Sequence, residues 1–168
     1  AYGKLRHVSM NVAAGGSSGK VLLSGMRAAQ LGSKLRWVYD GKRLGLKGGA
    51  ATKWSAVSLV DLPTKVGAEI EPVLQAWALH KNPARSMATA GTLVRSIGTV
   101  TVDGVPCDAL ELSREQLRVN VLIRRSDHLF ARVTSRSLDD QGREVSTLDR
   151  EYHYNSVGKP LPAAAFKL

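Results

Sequence analysis

Cys107 is the only thiol in the chain, so it is the first side chain to weigh as a nucleophile. A reactive cysteine wants a cation or a helix N-terminus beside it to lower its pKa, and a catalytic one wants a positioned histidine. Cys107 instead follows Pro106 and precedes Asp108, inside the alternating run TVTVDGVPCDALEL (99–112). His7, His80, His128 and His153 are scattered, none in a recognisable context. The expectation is a buried wall residue, sharing a face with Ala109 opposite Leu110. GGSSGK (15–20) resembles a phosphate loop. That loop needs glycine at position 14 and Ser or Thr at position 21, ahead of a helix. The chain has Ala14 and Val21, between two strand-like runs, so a hairpin turn is the better reading. Metal sites need clustered His, Cys, Asp or Glu at ligand spacing, and no such cluster is present in the sequence. Glu69, Glu71 and Glu111 lack the context of a paired-carboxylate site, Asp139-Asp140 reads as a solvated turn, and there is no GxSxG elbow. The chain is therefore expected not to be an enzyme and to carry no cofactor and no metal.

Charge is unevenly placed. The net charge is +10. Residues 1–60 hold ten Lys/Arg against Asp40 alone, residues 61–113 hold four against six acids, and residues 114–168 hold ten against seven, giving +9, −2 and +3. A single-sign field of this kind attracts an anionic membrane surface or an acidic protein, or else only keeps a face soluble. Nucleic acid is not expected as a partner. Single-strand binders interleave cations with stacking aromatics, aromatics are 5% of this chain, and no helix-turn-helix or zinc-finger spacing occurs.

The elements that must position these residues follow from periodicity. Strands are expected over 4–13, 20–27, 34–40, 42–47 and 54–60, with turns at AAGGSSG and at Asp40-Gly41, a dipeptide suited to positive φ. The pattern then changes. Val66, Ile70, Val73, Leu74 and Trp77 fall at helical spacing, and Pro72 suits a first turn. This predicts a helix over about 71–80, with a second short one after Pro83 through Met87. Strands resume at 93–102 and 105–113 around Asp103-Gly104, then at 116–124, 129–137 and 144–155. At 168 residues one domain is the natural reading: strands 4–60, a helical lid over about 66–88, strands 93–156 and a C-terminal tail. Long meanders joined by tight turns imply an antiparallel sheet. A small number of helices must then cover its open face. The fold class expected is mainly β, a single curved antiparallel sheet of about 10–11 strands forming an incomplete barrel with one or two helices as a lid.

The inner face of such a sheet is apolar: Val8, Met10, Val12, Leu23, Trp37, Tyr39, Val119, Val121 and Ile123, with Leu74 and Trp77 from the helix. Periodicity alone leaves two readings open, a packed core or a cavity for an acyl chain.

TVTVDGVPCDALELS, followed by QLRVNVLI, a polar tip and the closing LPAAAFKL, resembles a group of bacterial exported proteins of uncharacterised function. That group is similar in fold to the outer-membrane lipoprotein carrier (LolA/LolB-like). VLLSGMRAAQLGSKLRWVYDGK resembles the carrier's run of a strand, an arginine, an aromatic strand and Asp-Gly-Lys. PAAAFKL is similar to its terminal aromatic element, with Phe166 and Leu168 in the aromatic places. The resemblance implies a half-barrel with a helical lid over a hydrophobic cavity, a periplasmic location and no enzyme activity. Arg27 matches the carrier's lid-holding arginine by order, so the resemblance makes it a lid contact. The leading expectation is a monomeric periplasmic carrier that buries an acyl chain of a lipid or acylated protein. The alternative is an interaction domain with a filled core, binding acidic partners through its basic N-terminal strands.

Overall fold

The computed structural model describes residues 7–32, 36–48, 51–66, 73, 74, 77, 88 and 91–166. Alternating runs become strands wherever a two-residue loop lets the chain turn back on itself. Six strands precede the helical region: β1 (His7–Ala14), β2 (Ser17–Ser24), β3 (Arg27–Gly32), β4 (Arg36–Tyr39), β5 (Arg43–Gly48) and β6 (Ala51–Ala56). Helix α1 (Leu62–Val66) follows, and Val73, Leu74 and Trp77 are also helical. Five longer strands complete the sheet: β7 (Leu93–Val102), β8 (Val105–Arg114), β9 (Leu117–Arg124), β10 (Phe130–Leu138) and β11 (Glu144–Val157). A 3-10 turn (Ala163–Phe166) ends the described chain.

All eleven strands form one antiparallel sheet, in the order β6-β5-β4-β3-β2-β1-β11-β10-β9-β8-β7. Each half is a meander of sequence neighbours. The halves join where β1 pairs with β11, placing Met10 opposite Tyr154 and Val12 opposite Tyr152. The two ends of the order, β6 and β7, are not paired with each other, so the sheet is an open half-barrel rather than a closed one.

Turn chemistry accounts for most of the register. Asp103 (φ 49°) and Gly104 (φ 77°) both take the positive φ of a type I′ loop, as do Gly15 and Gly16. Other boundaries differ from expectation. A strand over 20–27 is in fact broken at Gly25-Met26. Gly25 alone has positive φ (61°), the arrangement of a Gly-first loop, and β3 begins at Arg27. At the next hairpin the loop residues are Gly41 and Lys42, not Asp40 and Gly41. Asp40 is the last residue before the loop, and its Oδ1 accepts the backbone N–H groups of Lys42 (2.9 Å) and Arg43 (2.8 Å). The strand expected over 54–60 ends at Ala56. Ser58 starts a turn there, taking the Asp61 N–H on its hydroxyl and the Leu62 N–H on its carbonyl, and α1 follows. The described parts of the expected 71–80 helix, Val73, Leu74 and Trp77, are helical. The rest of it and the expected helix at 83–87 lie outside the described residues, as do residues 4–6 and 34–35 of two expected strands.

Alternation sends side chains to two faces. On the concave face one large cluster runs from Val8 and Met10 of β1 across Trp37 and Tyr39 to Val121 and Val133, capped by Leu62, Val66, Val73, Leu74 and Trp77. On the convex face a small second cluster of Leu22, Ala29 and Val38 is covered by Phe166 from the C-terminal turn, with Leu31, Leu161 and Ala165 against it.

Candidate functional site

The concave face is the place to look for a ligand-binding surface. The register puts Val21 opposite Met10 and Leu23 opposite Val8. Trp37 lies opposite Gln30, and Tyr39 opposite Ala28. In the other half Val119 and Val121 face the same way as Leu112 and Leu110 across the β8–β9 ladder. Every apolar position assigned from the sequence to the inner face belongs to this one cluster, with Ile123 at its half-buried margin. Leu74 is fully buried and Trp77 is 3% exposed, so both are packed against this face.

Sequence periodicity missed several members. Leu129 and Phe130 are buried in the same cluster, where a bulge between Phe130 and Arg132 breaks simple alternation. Phe130 stacks tilted on Tyr152, centroids 5.9 Å apart. Leu44 and Leu62 also belong to it, and so does Val66, which the helical stripe included. Two polar groups share this side of the sheet. Gln30 is buried and its Oε1 accepts the indole N–H of Trp37 at 2.8 Å. Arg150 is buried on the same side of β11 as Tyr152, and its Nη1 donates to the Ser135 hydroxyl at 2.9 Å. A long alternating run hides both, because one polar residue inside it reads as a break. Burial raises the pKa of Tyr39, helped by the nearby Asp40 charge, and its hydroxyl donates to the Gly41 carbonyl at 2.9 Å.

Arg27 is placed differently from the lid contact implied by the family resemblance. It alternates with Ala29 and Leu31 and so lies on the convex face, opposite Ala28, which belongs to the inner cluster. Among the described residues it lines a groove with Val38 and Phe166, on the side of the sheet away from Leu74 and Trp77. The reason is the loop at Gly25-Met26. It fixes Ser24 opposite Arg27 and thereby decides which face each residue of β3 takes.

The candidate nucleophile has a structural environment. Cys107 is fully buried beside Ala109, also buried, on the face opposite Leu110. Its thiol donates to the Val105 carbonyl at 3.5 Å, and burial raises its pKa, which suppresses the thiolate a nucleophile needs. His7 Nδ1 lies 2.7 Å from the Ser24 hydroxyl, a cross-strand pair of β1 and β2 that no spacing rule finds. No carboxylate orients that ring among the described residues, as a triad would require. No group of three His, Cys, Asp or Glu stands close enough to hold a metal among the described residues. No helix of the described structure is long and apolar enough to cross a membrane.

Ion pairs concentrate in the second half. Arg132 holds Asp149 through paired hydrogen bonds and reaches Glu151 at 3.3 Å. Arg136 pairs with Glu144, Arg95 with Glu111, and Arg124 with Asp127. The Arg124 guanidinium also lies over the Tyr154 ring at 4.9 Å.

No protein-family model matches the chain, and no curated protein matches it. Solved structures do. The lipoprotein LppX of Mycobacterium tuberculosis matches at 13% identity over 94% of this chain and 89% of its own, with a TM-score of 0.53. LprF of Mycobacterium bovis matches at 12% identity over 96% and 89%, with a TM-score of 0.54. MucB of Pseudomonas aeruginosa, solved in complex with MucA, matches at 17% identity over 99% of this chain and 58% of that one, with a TM-score of 0.54. At these identities the likeness is one of fold. The chain shares the fold of these structures, here an open antiparallel half-barrel with Leu74 and Trp77 of a helical segment packed on its concave face.

Proposed function

We propose that this protein is a non-enzymatic, exported binding or carrier protein that buries an acyl chain of a lipid or acylated protein against the concave face. The observation that carries the reading is the concave cluster itself: an apolar wall on a sheet that does not close, covered by a short helical segment through a few residues. A closed barrel would have to be broken to admit a ligand. An open sheet needs only its cover to move. Parting Leu74 and Trp77 from the wall costs about 3 kcal/mol each, and an acyl chain enclosed between the wall and the helical segment regains about 0.8 kcal/mol for every methylene it buries there. A chain of more than about eight methylenes therefore favours exchange. The fold likeness to the lipoprotein LppX and to LprF supports this, and it also supports an exported, periplasmic location.

Native mass spectrometry of the protein purified from its own host without detergent tests the proposal. Adducts at acyl or lipid masses are the expected result. A clean apo mass that persists after incubation with palmitate or phospholipid would overturn it.

A further inference from the structure

Among the described residues, the convex face of the N-terminal half carries a row of cations. Lys20 of β2, Arg27 of β3, Arg36 of β4, and Arg43 and Lys47 of β5 all alternate with residues facing the opposite, concave side. They therefore share the convex face. Asp40 is the only acid in the first sixty residues, and Arg43 already occupies it through Nη2 at 3.0 Å. Two backbone N–H groups, then the guanidinium, hold that carboxyl below its usual pKa, so its charge is spent locally. Among the described residues, Lys20, Arg27, Arg36 and Lys47 meet no carboxylate. In the C-terminal half several cations are paired with acids, as in Arg132–Asp149 and Arg136–Glu144. Among the described residues this face thus carries a row of cations without acids beside them.

That face also holds a slot. A groove of about 860 Å³ opens between the C-terminal turn and two hairpin loops, lined by the apolar Val38, Ala163 and Phe166, by Arg27 and Lys42, and by the Asp40–Arg43 pair, whose one acid is already held by its own cation. The loops bearing Met26 and Gly41 touch: a Cβ at Gly41 would lie 3.6 Å from the Met26 carbonyl oxygen. Met26 is 60% exposed there, a long apolar side chain at the mouth. Beyond the groove Trp54 is 48% exposed, with the Arg43 guanidinium over its ring at 5.3 Å.

From this arrangement we infer that the convex face of β2–β6 docks an acidic, extended segment of a partner protein, one apolar side chain of which enters the groove between Arg27, Lys42 and Phe166. Charge complementarity names the sign of the partner, and cations without acids beside them gain most from it. The recess selects a peptide over a membrane. A bilayer presents headgroups on a near-planar surface and leaves a recessed apolar slot unfilled, whereas a side chain flanked by carboxylates fills slot and rim together. Arg27 suits a carboxylate because its planar fork donates two parallel hydrogen bonds. The site is independent of acyl burial on the other face, and either proposal can fail alone.

The test uses fluorescence anisotropy of a labelled dodecapeptide of repeating Glu-Leu-Asp against the whole protein. The controls are the same length of repeating Lys-Leu-Lys and vesicles of pure phosphatidylglycerol. Saturable binding of the acidic peptide is expected, weakening steeply between 20 and 200 mM salt. Arg27→Glu and Lys42→Glu, both exposed, should each weaken it about tenfold. Lys159→Glu changes net charge equally but lies on the exposed tail, and it should leave binding within about twofold. Ala163→Trp, which fills the groove at constant charge, should weaken binding as well. Equal loss in all three charge variants would reduce the effect to net charge and overturn the site. Binding of the vesicles but not the acidic peptide would also overturn it, in favour of a membrane surface.

Discussion

Leu74→Glu is the perturbation that most directly tests the lid. Leu74 is fully buried against the concave wall. Replacing it forfeits about 2–3 kcal/mol of apolar burial, and burying a carboxylate against that apolar wall costs more still, so the helical segment leaves the wall rather than bury the charge. The strands keep their ladders, because β1, β11 and their neighbours are paired independently of the helix. Unfolding free energy should fall by about 3 kcal/mol with far-UV circular dichroism unchanged in shape. Ligand binding is the sharper readout. The probe 11-(dansylamino)undecanoic acid has about ten methylenes. With the wall but not the lid, about half lose their cover, which is about 4 kcal/mol or about a thousandfold in Kd. Dansyl fluorescence titration reads this directly, with Val145→Glu, at an exposed position of β11, as the charge control. A folded Leu74→Glu protein that binds the probe as tightly as wild type refutes the reasoning.

Other expectations follow from the same structure. The Cys107 thiol should react with a soluble disulfide reagent at neutral pH only at the rate of unfolding, because burial both shields it and raises its pKa; rapid native-state modification would reopen the case for a reactive cysteine. Asp149 is held below the usual carboxylate range by the Arg132 guanidinium, against the opposing effect of burial, and the Thr134 hydroxyl helps. Its folded pKa is depressed, so its contribution is complete above the unfolded value near 4 and is lost as pH falls through the folded one. Both side chains are partly exposed, so Asp149→Asn should cost only about 1 kcal/mol at pH 7 and should flatten the urea-measured loss of stability as pH falls below about 4. An acid limb identical to wild type would remove Asp149 from that account. Gly104→Ala places a Cβ at φ 77° with nothing within 4 Å to clash, so backbone strain alone should lower stability by about 1 kcal/mol in urea unfolding. Gln30→Leu leaves the buried Trp37 N–H without its acceptor and should cost about 2 kcal/mol, while adding Trp37→Phe should recover part of that loss. Simple additivity of the two changes would argue against the bond.

The sequence by itself determined the strand content, most hairpin loops and the membership of the inner wall. These depend on local physics: side chains alternate with a period of two along a strand, and Asp103-Gly104 tolerates the positive φ that a tight hairpin loop requires. It also determined that the positive charge belongs to the N-terminal third. It did not determine which face that charge takes. One unforeseen loop at Gly25-Met26 sets the phase of β3 and carries Arg27 to the convex side, because a single-residue shift in register exchanges the faces of a whole strand. Only the tertiary structure joined β1 to β11, a pairing between residues more than a hundred apart that no local pattern encodes. It alone brought Phe166 back over Val38 to wall a groove, and buried Gln30 and Arg150 among apolar neighbours. Those placements depend on contacts across the sheet, where the identity of the neighbour, not the periodicity of the segment, decides what is buried.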